Sequence, residues 1–151
     1  MNDHNKQSEL IIIPQHQVGE LQFKMTDTEL QKQLGPPIRI IPMSYDRQLY
    51  VYSNQIDTVI YHPNLGLVGV SVSTAPVLID GQEIFSMSKD SIESWLKTLD
   101  LAFETSNDQS EYINIEIPQW AIIISFQNGH VDSIEAAFGE WQYGQLTEKT
   151  N

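Results

Sequence analysis

No cysteine occurs among the 151 residues, which excludes disulfide frameworks, thiolate zinc sites and cysteine nucleophiles. Basic side chains are scarce: 8 Lys and Arg stand against 20 Asp and Glu, a formal charge of −12. A surface that acidic argues against direct contact with nucleic acid or anionic lipid. Long apolar runs are missing as well. Leu10–Ile13 stops at Pro14, too short for a signal-peptide core or a membrane span, and the start MNDHNKQSEL is polar. The expectation is therefore a cytoplasmic protein with no membrane contact. The glycines are isolated, so no phosphate-cradling loop exists, and basic patches interleaved with aromatics are absent.

Catalytic spacing is weak. The histidines His4, His16, His62 and His130 are scattered without metal-ligand spacing. His62 and His130 lie near corresponding turns, where exposed histidines are the commoner explanation. Ser86–Lys89 and Ser94–Lys97 both match Ser-x-x-Lys, but the Ser-Asp-Asn and Lys-Thr-Gly elements of serine acyl-enzymes are missing. Glu111 and Glu116 are an odd number apart on a strand, hence on opposite faces. The expectation is a protein that is no enzyme, with no cofactor, no metal and no catalytic residue.

What is present is a repeat. Gly19, Phe23 and Met25 recur as Gly81, Phe85 and Met87, and Gly19–Leu34 lies over Gly81–Leu96 with matched apolar spacing. Thr26 is an N-cap whose partner Glu29 completes a capping box, and Gly35 with Pro36 and Pro37 ends the helix. In the second copy Ser88 starts the helix, with Ile92, Trp95, Leu96 and Leu99 as its stripe. Strand-like segments follow each helix: 48–52, 58–61 and 67–73 in one copy, 111–117, 121–126 and 131–138 in the other. Asn128-Gly129 is the favoured two-residue hairpin turn. The pattern predicts an α+β fold of two tandem helix-plus-antiparallel-meander repeats packed together. The repeats are placed at about 10–75 and 76–143, with a frayed tail at 144–151; Leu10–Ile13 and Val77–Ile79 are possible added strands. One conflict is visible: Val68, Val70 and Val72 align with Val131, Ser133 and Glu135, so the copies do not present identical faces there.

The stretch G-x-x-x-F-x-M-[ST], followed by a short helix, L-G-x-P and a tyrosine-rich strand, resembles the repeat of the β-lactamase-inhibitor-protein family. It is also similar to the small lipoprotein subunit of the outer-membrane barrel-assembly machine. The resemblance covers about residues 19–138 and implies helices on one side of an antiparallel sheet and a general habit of binding proteins. Both relatives are exported and the inhibitor relies on disulfides, so no particular partner or residue carries over.

Charge is uneven. Residues 1–75 hold five basic and seven acidic side chains (−2), whereas residues 76–151 hold three and thirteen (−10). Such asymmetry fits either solubility or a basic partner. Alternation puts Tyr50 and Tyr52 opposite Leu49 and Val51, and Tyr112, Asn114 and Glu116 opposite Ile113, Ile115 and Ile117. If helices cover the aliphatic faces, the contact residues are Tyr50, Tyr52, Tyr112, Asn114, Glu116, Asp132 and Glu135. Trp120, Trp141 and Tyr143 are further aromatic candidates. The functional expectation is a protein-binding module, most specifically an immunity-type inhibitor that masks a basic toxin or effector such as a nuclease. The alternatives are an assembly adaptor using the same surface, or a small-molecule-binding or hydrolytic domain at the seam between the halves.

Overall fold

The computed structural model describes residues 9–107 and 112–138. Of the residues singled out above, Glu111, Trp141, Tyr143 and the tail 144–151 lie outside the described residues.

The first half opens with β1 (Leu10–Ile13) and the short hairpin β2 (Gln17–Val18) and β3 (Leu21–Gln22). Thr26 then caps α1 (Asp27–Leu34): its Oγ1 accepts from the Glu29 amide at 3.2 Å, and Glu29 Oε1 accepts from the Thr26 amide at 2.9 Å. Both bonds of the capping box are made, and they hold the Glu29 carboxyl below its ordinary range. Gly35 ends the helix at φ 80°, its amide donating to Gln31 O. Four strands follow: β4 (Arg39–Pro42), β5 (Gln48–Val51), β6 (Ile56–His62) and β7 (Gly66–Val72).

The second half has no counterpart of β1 but otherwise follows the order of the first, with a 3₁₀ turn added before its helix. The hairpin β8 (Val77–Ile79) and β9 (Gln82–Glu83) leads through a 3₁₀ turn to α2 (Lys89–Thr98), capped by Ser88. Then come β10 (Glu104–Asn107), β11 (Tyr112–Ile117), β12 (Ile122–Gln127) and β13 (His130–Ala137). Asn128 and Gly129 turn between the last two strands at φ 54° and 84°.

The strands form two sheets. The smaller runs β3-β2-β1-β8-β9, with β1 parallel to β8; the larger runs β10-β11-β12-β13-β7-β6-β5-β4. The two meanders therefore join through their last strands, β7 antiparallel to β13, with Val70 opposite Ala136. Phe138 fastens this seam: its amide donates to Val68 O and its ring lies 6.0 Å from Phe23, with Lys24 over its face.

Strand makes up 46% and helix 17% of the described residues, so the class is mainly β and not the expected α+β. The excess comes from short pieces that lack a periodic signature, namely β2, β3, β4, β9 and β10. One hydrophobic cluster contains residues of both halves, among them Leu30, Val59 and Val70 from the first and Ile92, Ile124 and Phe126 from the second.

The face conflict in β13 is resolved by a bulge. Ser133 pairs with Ser125 and Val131 with Phe126, leaving Asp132 as the extra residue. Parity resets across it, so Val131, Ile134 and Ala136 are all buried.

Candidate functional site

The covered face of the large sheet carries the core; its other face has no layer over it among the described residues. Register identifies what that open face presents. From the edge to the seam, Arg39, Val51, Thr58 and Ser71 are successive partners across β4, β5, β6 and β7. The row continues from Ser71 to Glu135, then Ile123, Glu116 and Glu104 across β13, β12, β11 and β10. One row thus begins in an arginine, passes small and aliphatic side chains, and ends in carboxylates. A neighbouring row adds Ile41, Leu49, Ile60, Gly69 and Ala137.

Small residues at the seam, flanked by larger ones, leave a furrow of about 180 Å³. Gly69, Ser71, Ala121 and Ala137 line it, with Leu49, Ile60 and Ile123 flanking and Arg47 and Glu135 contributing charge. A Cβ on Gly69 would lie 3.3 Å from Ile60 Cδ1, a tight contact that the Ile60 side chain would have to yield slightly to admit. The Glu135 carboxyl, seated against this apolar lining, is pushed up by loss of hydration even though the residue is exposed. Arg47 Nε donates to Ser44 O at 3.0 Å, which steadies the guanidinium at the end of the β4–β5 turn.

Glu104 and Glu116 stand directly opposite each other. Like charges in that position are destabilising unless a cation sits between or above them. The other carboxylates of the second half are spread more widely: Asp90 and Glu93 belong to α2, where Lys89 pairs with both, and Asp80 and Asp100 sit in turns. Glu93 also accepts from Thr105 Oγ1 at 2.6 Å, and these bonds hold its carboxyl low. The acidic excess is thus shared between faces.

The expected contact residues divide. Tyr112, at 45% exposure, is solvent-facing, and Asn114 and Glu116 are half-buried on the open side of β11; Asp132 and Glu135 are exposed. Tyr50 and Tyr52 are a correction: they are 3% and 6% exposed and point into the core. Tyr50 Oη donates to Asp27 Oδ1 at 2.5 Å, and Tyr52 Oη donates to Gly35 O at 3.0 Å, so the two rings tie β5 to both ends of α1. Burial and the Asp27 bond push the Tyr50 hydroxyl well above its ordinary range. Leu49 and Val51 take the open side instead. Trp120 is half-buried, edge-on to Trp95 at 5.6 Å.

Sequence reasoning missed the furrow. Its signal is the coincidence of Gly69-x-Ser71 with Ala136-Ala137 on the two strands that meet, which only the topology brings together. His62 serves its own turn, Nδ1 accepting from the Asn64 amide at 3.0 Å. Among the described residues no group of three or more His, Asp and Glu is placed to hold a metal ion, and no helix is long and apolar enough to cross a membrane.

No family model matches the chain, and no curated protein matches it. Among solved structures it is similar to an extracellular protein containing an SCP domain from Bacillus anthracis, at 15% identity and a TM-score of 0.49, over 76% of this chain. The matched region spans 43% of that protein's length. It is also similar to a DUF4309 family protein from Bacillus subtilis, at 13% identity and a TM-score of 0.48, over 76% of this chain and 79% of the other. At these scores neither likeness carries a functional argument.

Proposed function

We propose that the protein is a non-enzymatic protein-binding module that docks a basic partner on the second half of its open sheet face. The specific form of this reading is an immunity-type inhibitor that masks a basic effector in the cytoplasm. The observation that carries it is the directly opposed pair Glu104 and Glu116, with Glu135 in the same row and exposed Tyr112 on the same face at the far end of β11. A cationic surface relieves that like-charge contact on binding, and an exposed tyrosine on the same face supplies rigid contact area. A small-molecule site is the weaker reading. The furrow is smaller than the roughly 300–1,000 Å³ usual for ligand pockets and suits a single apolar side chain.

The experiment is affinity capture from the native host with the full chain, alongside a Glu104→Lys, Glu116→Lys, Glu135→Lys triple variant and a control with charge reversed on α2 (Asp90→Lys). A basic protein retained by the wild type and by the control, lost with the triple variant and lost at high salt, supports the reading. Equal retention by all three proteins overturns it.

A further inference from the structure

We infer that a second copy of this chain covers the open face, in an isologous dimer whose two-fold axis runs along the β7–β13 seam. The inference stands without the basic-partner reading, and because both use Glu104 and Glu135, a second copy and a basic partner compete for this face.

The argument is the symmetry of the row described above. Counted outward from the seam, β4 and β10 are each the fourth strand, and Arg39 and Glu104 lie in one register row. A two-fold axis along the strands carries each half of one face over the other half of its mate. Arg39 then lies over Glu104 of the second copy, and by the two-fold operation this contact is made twice. Nearer the axis, the hydroxyl of Ser71 lies over the Glu135 carboxylate, and Thr58 lies over Ile123. In the neighbouring row Gly69 lies over Ala137, so the backbones approach closely where both side chains are smallest. An axis across the strands, in contrast, stacks Arg39 on Arg39 and Glu104 on Glu104.

Size agrees. Eight strands about 4.8 Å apart and about 20 Å long present a face of roughly 750 Å² per copy, close to the ~800 Å² per partner of a standard stable interface. Two such faces pack as aligned sheets, in which side chains of the inner surfaces interdigitate. Glu104 gains a guanidinium that relieves its contact with Glu116, Val51 lies over Glu116 of the mate, and Leu49 and Ile60 lose their contact with water.

The test is sedimentation of the purified full chain at low salt over a wide concentration range. The wild type is expected to reach twice 17.2 kDa. Arg39→Glu and Glu104→Arg, each alone, are expected to weaken the dimer by about tenfold or more, since an attraction made twice becomes a repulsion made twice. Mixed in equal amounts, these two variants pair with each other and recover the wild-type association. Thr58→Lys, in the middle of the face, abolishes it; circular dichroism establishes that each variant is folded. A wild type that stays monomeric throughout overturns the inference, as does a dimer indifferent to Thr58→Lys or a mixture that fails to recover. Because the readout uses pure protein, such a failure leaves the basic-partner reading to its own capture experiment.

Discussion

From hairpin to helix to four-stranded meander the two halves run alike, yet they treat the second strand of their meanders in opposite ways. In the first half, β5 turns Tyr50 and Tyr52 beneath the eight-residue α1, which buries only Leu30. In the second, β11 turns Ile115 and Ile117 inward beneath the ten-residue α2, which buries Ile92 and Leu96, while Tyr112 faces water. The thinner helix leaves room that two rings fill, and their hydroxyls reach Asp27 in its first turn and the carbonyl of Gly35 at its end. Alternation fixes which residues share a face; the element packed above decides which face goes inside.

The sharpest way to break the comparison is at the two hairpin glycines. Gly66 and Gly129 both have φ above 80°, but only Gly66 is crowded: a Cβ there overlaps the carbonyl of Lys24 and lies 2.6 Å from Met25 O. The cause is a local ladder in which the Lys24 amide donates to Leu67 O and the Leu67 amide to Met25 O. Gly66→Ala is expected to cost about 3 kcal/mol or more, from overpacking plus left-handed strain. Gly129→Ala meets nothing within 4 Å and costs about 1 kcal/mol. Urea denaturation of both variants measures the difference.

Next in size is the tyrosine tether. Tyr50→Phe removes a hydrogen bond to a carboxylate and is expected to cost about 1.5 kcal/mol, against about 1 kcal/mol for Tyr52→Phe, whose partner is a neutral carbonyl. The Tyr50 hydroxyl is a weaker acid in the folded chain than an ordinary tyrosine, whose pKa is about 10. Its stabilisation is thus fully present below pH 10 and is lost as pH rises beyond it. Alkaline unfolding of the wild type, followed by fluorescence, is expected to begin at lower pH than that of Tyr50→Phe when each is referred to its own neutral-pH stability.

The helix caps sharpen the comparison further. Thr26→Ala breaks a reciprocal box, whereas Ser88 has only Ser91 as its partner three residues on. Expected costs are about 1 kcal/mol for Thr26→Ala and about half that for Ser88→Ala, read from thermal melts. Smallest is Glu135→Gln. Loss of hydration raises the pKa of Glu135, so its charged form is disfavoured on folding. The wild type therefore loses stability as pH rises above the ordinary carboxylate range. The glutamine variant should melt slightly higher at pH 7 and lose that advantage near pH 4.

Much of this was legible from residues alone: the capping box at Thr26, the stop at Gly35, the Asn128-Gly129 turn and the strands at Leu10–Ile13 and Val77–Ile79. The inward direction of Ile115 and Ile117 followed from alternation, because their strand opposes aliphatic to polar residues. Gln48–Tyr52 opposes aliphatic to aromatic residues, and both kinds gain from burial, so pattern alone does not choose between them. The short edge strands were silent for different reasons. β10 reads Glu-Thr-Ser-Asn with no apolar face, and β4 contains Pro42, tolerated because an edge strand has ladder positions that need no donor. The Asp132 bulge appeared only as an unexplained mismatch between copies. The furrow depends on two strands far apart in sequence meeting at one seam.

That seam also bears on how the chain is made. Synthesis completes β7 well before β13, and until then the strand Gly66–Val72 has one edge bare. Its residues are almost all buried in the finished molecule, so the nascent edge offers unpaired amides and carbonyls on an apolar ribbon, a template for any neighbouring chain. The later half is in this sense a chaperone covalently attached to the earlier one, and a chain severed after Ala75 would be released without it.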